Sequence, residues 1–592
     1  MCSLNGRSFG CTGPTGRLHD RERGRRREGI AARSQAALLR NEHNPRFVKS
    51  VNPDLRTGSS PSPGSLTAAT EHHQAGRLPQ AAAIYQQILQ AAPDHPDALH
   101  LLGVIYHQAG KNEAAVELIS KAIGVNPTGP MHCSLGNVLK DQGKLDEAVD
   151  TYRKALAFKP DYAEAHYNLG TALQAQGRLD EAVQSYYKAL SFKPGFAEAH
   201  SNLGNALRAQ GKLDEAVAGY RKALSFRPDL AEGHYNLGIA LLAQGKADAA
   251  VASLHKALAL KPNDAEARND LGNALRTQGK LDAAVASYRN ALALKPGFAE
   301  AHNNLGNALK DQGKLDAAVA SYRNALALKP DFAEAHGNLG NALKEQGRVD
   351  EAVSAYEAQL RLDPGRGTAR FALAALRGGN PEQPPAEYVQ SLFDGYANRF
   401  DVHLLDQLEY RVPAVLAAEI VALRGDDARL DVVDLGCGTG LFGAAIHPIA
   451  GRLTGVDLSP RMLDKARARN CYRQLIEGDI VDFLRGQPAA SLDLIAATDV
   501  FIYIGALEAV FAETVRTLRC GGLFAFSVEA SPDAADTGYR LQSTGRYAHD
   551  PGYLRALARR YGLLPRVFTA MPIRKHGVAP VPGWIAIFET AP

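Results

Sequence analysis

The sequence predicts a multidomain chain, an all-helical repeat superhelix followed by a doubly wound α/β domain, and three observations carry that reading. Glycines recur at a fixed interval through residues 76–347, an apolar strand runs into a glycine-rich turn at 432–440, and further apolar strands alternate with helical stretches behind it. With 592 residues, 45% hydrophobic and 22% charged, the chain has a globular composition, which excludes a wholly disordered or fibrous protein. At about 150 residues per domain, that length holds several domains rather than one core.

Residues 1–65 mix Arg, Gly, Ser and Pro without periodicity and end in a breaker-rich run at 57–65, which predicts a disordered basic arm. The first 66 residues hold 12 of the 67 Lys and Arg but only 5 of the 63 Asp and Glu, so the basic charge belongs to the arm. The body offers no electrostatic ground for nucleic acid. The arm itself reads either as a solvated end or as a surface for nucleic acid or anionic lipid. Its arginines 25–27 have no apolar segment behind them, so no export signal is expected. The apolar stretch 500–507 is bounded by Asp499 and Glu508, far short of a membrane span. Six cysteines without CxxC spacing imply a reducing, cytoplasmic setting and no metal site.

The repeats occupy residues 66–376. Gly76, Gly110, Gly143, Gly177, Gly211, Gly245, Gly279, Gly313 and Gly347 are 34 apart except for one interval of 33, which makes about nine repeats. Units 279–312 and 313–346 match at 31 of 34 positions. In unit 163–196, Leu169, Gly170, Ala182, Tyr186, Ala189 and Pro194 fall where two antiparallel helices meet. This pattern resembles the tetratricopeptide repeat, which implies stacked helix pairs and a concave groove that takes a protein or extended peptide. In the third repeat, around residues 127–130, one residue and the usual Ala-Glu-Ala start are missing, and a local irregularity is expected there.

Asparagine precedes Leu-Gly in five units, as Asn168, Asn202, Asn236, Asn304 and Asn338. An amide both donates and accepts, so a ladder of amides suits a peptide backbone whatever its side chains. The arrangement is similar to the asparagine ladder of O-linked N-acetylglucosamine transferases, but only 228 residues follow Pro364, too few for that enzyme's two further halves. Simple duplication of near-identical units explains the same asparagines. A second ladder, His166, His200, His234, His302 and His336, with Arg268 in one unit, reads as packing or groove polarity, because rings about 10 Å apart share no metal.

Residues 377–385, with Gly378, Gly379, Pro381, Pro384 and Pro385, read as a linker, and a new domain spans 386–592. The run Val432-Val433-Asp434-Leu435-Gly436-Cys437-Gly438-Thr439-Gly440 is a strand entering a glycine turn that opens a helix, and Asp457 stands at the tip of the next strand. A carboxylate there accepts ribose hydroxyls. Gly436, Gly438 and Gly440 make G-x-G-x-G rather than the dinucleotide spacing. With 455–462, Glu477-Gly478-Asp479-Ile480, 491–499 and 518–524 in order, the chain resembles class I S-adenosylmethionine-dependent methyltransferases, hence a Rossmann-like seven-stranded sheet whose last strand, near 584–588, is antiparallel.

The resemblance assigns Asp434 and the turn Gly436, Cys437, Gly438 and Gly440 to the methionine part of S-adenosylmethionine, and Asp457 to its ribose. It places Leu458 and Met462 on the faces of adenine, and Asp479 and Ile480 at its amino edge. Asp434 and Asp479 read equally as helix caps. Methyl transfer requires positioning and a route for at most one proton. Asp499 and Tyr503, behind the fourth strand, stand where the resemblance brings the acceptor, and His549 is the candidate base because an ordinary imidazole titrates near neutrality. His549 and Tyr547 capping or packing on helix 551–561 is the other reading. Residues 388–400, with Phe393, Tyr396 and Phe400, form a lid or an ordinary core stripe. The expected function is methyl transfer from S-adenosylmethionine, with the repeat groove binding a protein or peptide partner. Against it stand a scaffold with an idle domain and a small-molecule methyltransferase localised by its repeats.

Overall fold

The computed structural model describes residues 65–396, 400–402, 404–405, 408–531, 537–576 and 579–592, so all but the last residue of the expected basic arm lie outside the described residues. The chain divides into two compact units, Met1–Pro296 and Gly297–Pro592.

The first unit is a run of seven helical pairs among its described residues, from Leu66–Gln74 to Leu281–Leu294. From the second pair on, first helices have 13 residues, as in Ala163–Ala175, and second helices 14, as in Leu179–Phe192. Between the helices of a pair, Gly177 takes φ +76°, a left-handed turn that closes the first helix with an Arg178 N–H to Leu173 carbonyl bond of 2.9 Å. Asp180 and Glu181 then sit at the positive end of the second helix. The glycine of each Leu-Gly pair lets the helices touch: a Cβ on Gly204 would lie 2.7 Å from the buried Tyr220 ring. The hydroxyl of Tyr220 donates to Asn205 at 2.8 Å, and that of Tyr152 to Asn137 at 2.7 Å. The asparagine after Leu-Gly thus satisfies a buried phenol that packing forces inside.

The third repeat is regular, contrary to expectation. Its first helix, Gly129–Asp141, has the usual 13 residues, because Thr128 caps it by accepting from the Met131 N–H at 3.4 Å and Pro130 fits the first turn. The missing residue shortens only the loop before it. The histidine ladder also has a packing cause. His166, His200 and His234 each donate from Nε2 to the carbonyl of the proline six residues earlier at 2.9 Å, and Arg268 reaches Pro262 at 2.8 Å in the same way. His166 and His200 also stack on Phe192 and Phe226. No cluster of metal-ligating side chains occurs among the described residues, and none of their helices is long and apolar enough to cross a membrane.

The second unit holds two further repeats, the helix Gly367–Leu376 and the α/β domain. Its strands are β1 (Leu430–Leu435), β2 (Ala450–Asp457), β3 (Gln474–Glu477), β4 (Leu492–Ala497), β5 (Leu518–Ala530), β6 (Tyr539–Leu541), β7 (Tyr547–His549), β8 (Leu563–His576) and β9 (Ala579–Thr590). Strands β3-β2-β1-β4-β5 run parallel, and β9 lies antiparallel between β5 and β8. These seven match the expected sheet. The described sheet has nine strands, because the short β7 joins the end of β5 at Glu529 and Ala530 and carries β6 with it. Side chains alternate between two cores. Val433, Leu435, Phe524 and Phe526 face one, and Val432, Leu494, Leu523 and Ala525 face the other.

The expected linker at 377–385 is a docked strap. The Asn380 amide donates to the Tyr539 carbonyl at 2.9 Å and accepts from the Leu541 N–H at 2.8 Å, so it pairs with β6 as a neighbouring strand would. The Glu382 carbonyl accepts from the N–H groups of Gly505 and Ala506, and the Pro381 carbonyl accepts from the Tyr547 hydroxyl. Behind it, Phe371 of the last repeat-like helix is buried with Tyr539, Leu541 and Tyr547. Gly and Pro break the helix as predicted, but their exposed backbone finds partners on the sheet edge.

Candidate functional site

The C-terminal ends of β1 and β2, and Val500 behind β4, meet at the glycine turn. Gly436, Gly438 and Gly440 have φ of +61°, +54° and +87°, values that a side chain would strain. The Cys437 N–H donates to the Val456 carbonyl at 2.9 Å, and the Cys437 carbonyl closes the turn on the Gly440 N–H at 2.8 Å. Asp457, at the tip of β2, accepts from the Gly438 N–H and the Ser459 N–H, both at 2.8 Å. Burial raises its carboxyl above the usual range, with those backbone bonds opposing.

Asp434 is fully buried at the end of β1. Its Oδ2 accepts from the Tyr472 hydroxyl at 2.6 Å, and its Oδ1 has no hydrogen-bond partner among the described residues. Desolvation pushes its pKa up to about 7. Tyr472 reaches it because residue 443 is glycine: a Cβ there would lie 2.2 Å from the phenol oxygen. Met462 is fully buried, Leu458 half-buried, and Ile480 buried at the start of the helix Ile480–Arg485. Asp479 is exposed and caps that helix, accepting at Oδ1 from Val481 and Asp482 at 2.8 and 3.0 Å. Its capping is thus realised, and Asp457 and Asp479 stand at the ends of adjacent strands, bridged by the Gly478 N–H on the Asp457 carbonyl at 3.1 Å.

The helix Ala386–Tyr396 and residues 400–402 close over this edge. Phe393 packs edge-on against Tyr503 with ring centroids 5.2 Å apart, and Phe400 lies 3.9 Å from where a Gly438 Cβ would stand. The Tyr396 side chain lies outside the described residues. Two carboxylates that sequence reading missed hold this segment. Asp394 accepts from the Ser459 hydroxyl at 2.6 Å, and Asp401 pairs with Arg469 at 2.6 Å and with the Thr439 hydroxyl. Neither belongs to a motif; only the fold brings them to the turn.

Asp499 and Tyr503, the two residues expected beside the acceptor, both follow β4. Asp499 is ion-paired to the buried Arg574 of β8, whose second partner is Glu529 of β5. Tyr503 is almost fully buried, and burial raises its phenol above the usual range. His549 is not placed as a base. It is fully buried in β7, its Nε2 donates to the Gly505 carbonyl at 3.0 Å, and desolvation lowers its pKa to about 4. The ring stacks on Tyr553 of the helix Pro551–Arg560 with centroids 6.3 Å apart, and an imidazole sealed from water loses the hydration that its cationic form needs. Tyr547 likewise packs, with Phe371 and Tyr539.

The asparagine ladder divides by environment. Asn168 and Asn236 are buried; Asn202, Asn304 and Asn338 are half-buried. Three link neighbouring repeats: Asn168 donates to Asn137, Asn202 to the Tyr167 hydroxyl and Asn338 to Asn303, each at 3.0 Å.

Comparison with known proteins agrees with both halves. A family described as "Methyltransferase domain" matches residues 433–526. "TPR repeat" matches 136–177, 204–245, 239–276, 272–313 and 306–347, and "Tetratricopeptide repeat" models match 72–131, 163–196 and 335–370. The chain is 32% identical over 123 residues to the malonyl-[acyl-carrier protein] O-methyltransferase of Serratia marcescens, covering 21% of this chain and 48% of that protein. It is 34% identical over 123 residues to the trans-aconitate 2-methyltransferase of Enterobacter sp. (strain 638), covering 20% and 46%. The chain thus spans about half the length of these relatives. Among solved structures it is similar to YrrB, described as a TPR protein with an unusual peptide-binding site, at 27% identity and a TM-score of 0.29, covering 32% of this chain and 96% of that one.

Proposed function

For a chain that carries tetratricopeptide repeats and a methyltransferase domain, we propose S-adenosylmethionine-dependent methyl transfer to an acceptor brought by the repeat groove. The observation that carries this reading is the bonded unit of the glycine turn and Asp457 at the ligand side of a parallel sheet. The residues fit the cofactor. The orphaned, buried Asp434 Oδ1 suits a donor, and the positive-φ glycines 436, 438 and 440 leave the turn's backbone bare of side chains.

The turn at 436–440 and Asp434 would hold the methionine part, Asp457 the ribose, and Leu458, Met462, Asp479 and Ile480 the adenine. When bound, S-adenosylmethionine supplies a methyl group activated on a sulfonium. Phe393 and Phe400 exclude water from the turn, while Asp394 and Asp401 hold the segment that carries them. Tyr503 and the Asp499–Arg574 pair shape the acceptor side. The half-buried members of the ladder would offer amides to an extended segment of protein within each unit, Asn202 in the first and Asn304 and Asn338 in the second. The buried Asn168 and Asn236 would order the stack of the first unit.

Calorimetric titration of S-adenosylmethionine and its demethylated product into the full chain tests this reading, with Asp457→Ala as control. The full chain is used because the strap at 377–385 is part of the folded domain. Micromolar binding that the control loses supports the enzyme. A folded chain that binds neither compound leaves a scaffold.

A further inference from the structure

Tyr472 stands in the loop between the helix Pro460–Ala468 and β3, and glycines of the turn, of the helix Leu441–Ile446 and of β2 make room for its ring. A Cβ on Gly440 or on Gly455 would lie 2.9 Å from an edge carbon of the ring, and one on Gly443 would lie 2.2 Å from the phenol oxygen. A side chain at any of these positions would push the ring aside. The room over Gly443 serves the hydroxyl, which donates to Oδ2 of Asp434 at 2.6 Å. Oδ1 of the same fully buried carboxyl has no hydrogen-bond partner among the described residues.

The phenol decides which oxygen stays open. While it donates to Oδ2, a proton there would set donor against donor, so a proton on Asp434 sits on Oδ1. An incoming cation seeks the same atom, and Oδ1 holds one or the other. Of the titratable groups around Asp434, burial pushes Tyr472, Tyr410, Cys437 and Cys471 up, so all four are neutral near pH 7. Asp457 is the charged neighbour, and it favours the protonated form of Asp434, while the Tyr472 hydroxyl favours the carboxylate. We infer that Tyr472 is a positioning residue for the cofactor: it holds Asp434 so that Oδ1 is the one place for the ammonium of the methionine part, and binding there expels the proton that Oδ1 otherwise carries.

This inference rests on the methyltransferase reading above and adds a residue outside the motifs that carry it. The exchange balances. The ammonium keeps its protons and donates one hydrogen bond, the carboxyl proton leaves to solvent, and the two opposite charges pair out of water.

Calorimetric titration of S-adenosylhomocysteine, the demethylated product, into the full chain tests it. Repeating the titration in buffers of different ionisation enthalpy counts the protons released. Desolvation raises the Asp434 carboxyl to about 7, so wild type should release close to one proton at pH 6 and about a quarter of one at pH 7.5. Asp434→Asn should release none at either pH. Tyr472→Phe keeps the ring but loses the bond that favours the carboxylate, so its titration should move up by about one to two pH units. It should then release about three quarters of a proton or more at pH 7.5, and its affinity should trail wild type by about tenfold or more at pH 6, with a gap that narrows as pH rises. An equal loss of affinity at both pH values, with the wild-type proton count, makes Tyr472 merely structural and overturns the inference. Release that persists in Asp434→Asn overturns it too, as does binding by wild type with no proton released at pH 6, a result that needs no variant to fold. Failure of the product to bind wild type sinks instead the methyltransferase reading.

Discussion

The Gly438 N–H donates to one carboxylate oxygen of Asp457 at 2.8 Å, joining two motif residues that lie 19 positions apart. The second oxygen accepts from Ser459, so a single side chain sets both the glycine turn and the start of the following helix. Asp457→Ala removes two charge-assisted bonds, each worth about 1.5 to 3 kcal/mol. Cofactor affinity should fall at least a hundredfold by calorimetry, and the unfolding midpoint of the methyltransferase domain should drop. Asp457→Asn, which keeps the shape but accepts at one oxygen only, should retain more stability than affinity.

The strap makes the last repeat-like helix part of the α/β core. Phe371→Ala, at a buried ring against Tyr388 and Tyr547, should cost about 3 to 5 kcal/mol. Asn380→Ala frees the backbone of β6 and should expose residues 377–385 to limited proteolysis under native conditions, where wild type resists. Equal cleavage of the two proteins would contradict the docking.

Close helix contact in the repeats is tested by two glycines of opposite setting, Gly306 inside the helix Ala299–Asp311 and Gly297 in the loop before it. A Cβ on Gly306 would stand 2.6 Å from the buried Tyr322 ring, so Gly306→Ala should destabilise by about 1 to 3 kcal/mol in urea unfolding. Gly297 has nothing within 4 Å of its added Cβ, and the next unit carries Asp331 at that place. Gly297→Ala should change stability by no more than about 0.5 kcal/mol.

His549 links folding to pH. Its pKa falls from the ordinary 6.5 to about 4 in the folded protein, so between those values the unfolded chain binds the extra proton. Its contribution is fully present above 6.5 and is lost as pH falls toward 4. Asp434 acts in the opposite sense: its pKa is raised to about 7, so the folded state holds the proton and stability declines as pH rises through that value. Urea midpoints measured against pH should lose the acid-side slope in His549→Gln and the neutral-side slope in Asp434→Asn.

Much of the fold was legible from local pattern. The 34-residue period specified the helix pairs, because a unit that cannot bury its own apolar face must repeat that face in register. The glycine turn and Asp457 were legible because left-handed backbone and a strand-end carboxylate leave residue signatures at short range. The sequence by itself therefore determined the repeat architecture, the seven principal strands and the glycine turn with its strand-end carboxylate. What it left undecided are properties of environment. Residues 377–385 carry every mark of a linker, yet Asn380 finds the open edge of β6. His549 has the chemistry of a base, yet the sheet buries it. Asp394, Asp401 and Arg574 share no motif and meet the site from three separate segments. A side chain's burial and partners are set by residues distant in sequence, so only the tertiary structure decided which polar groups are structural and which remain open to a ligand.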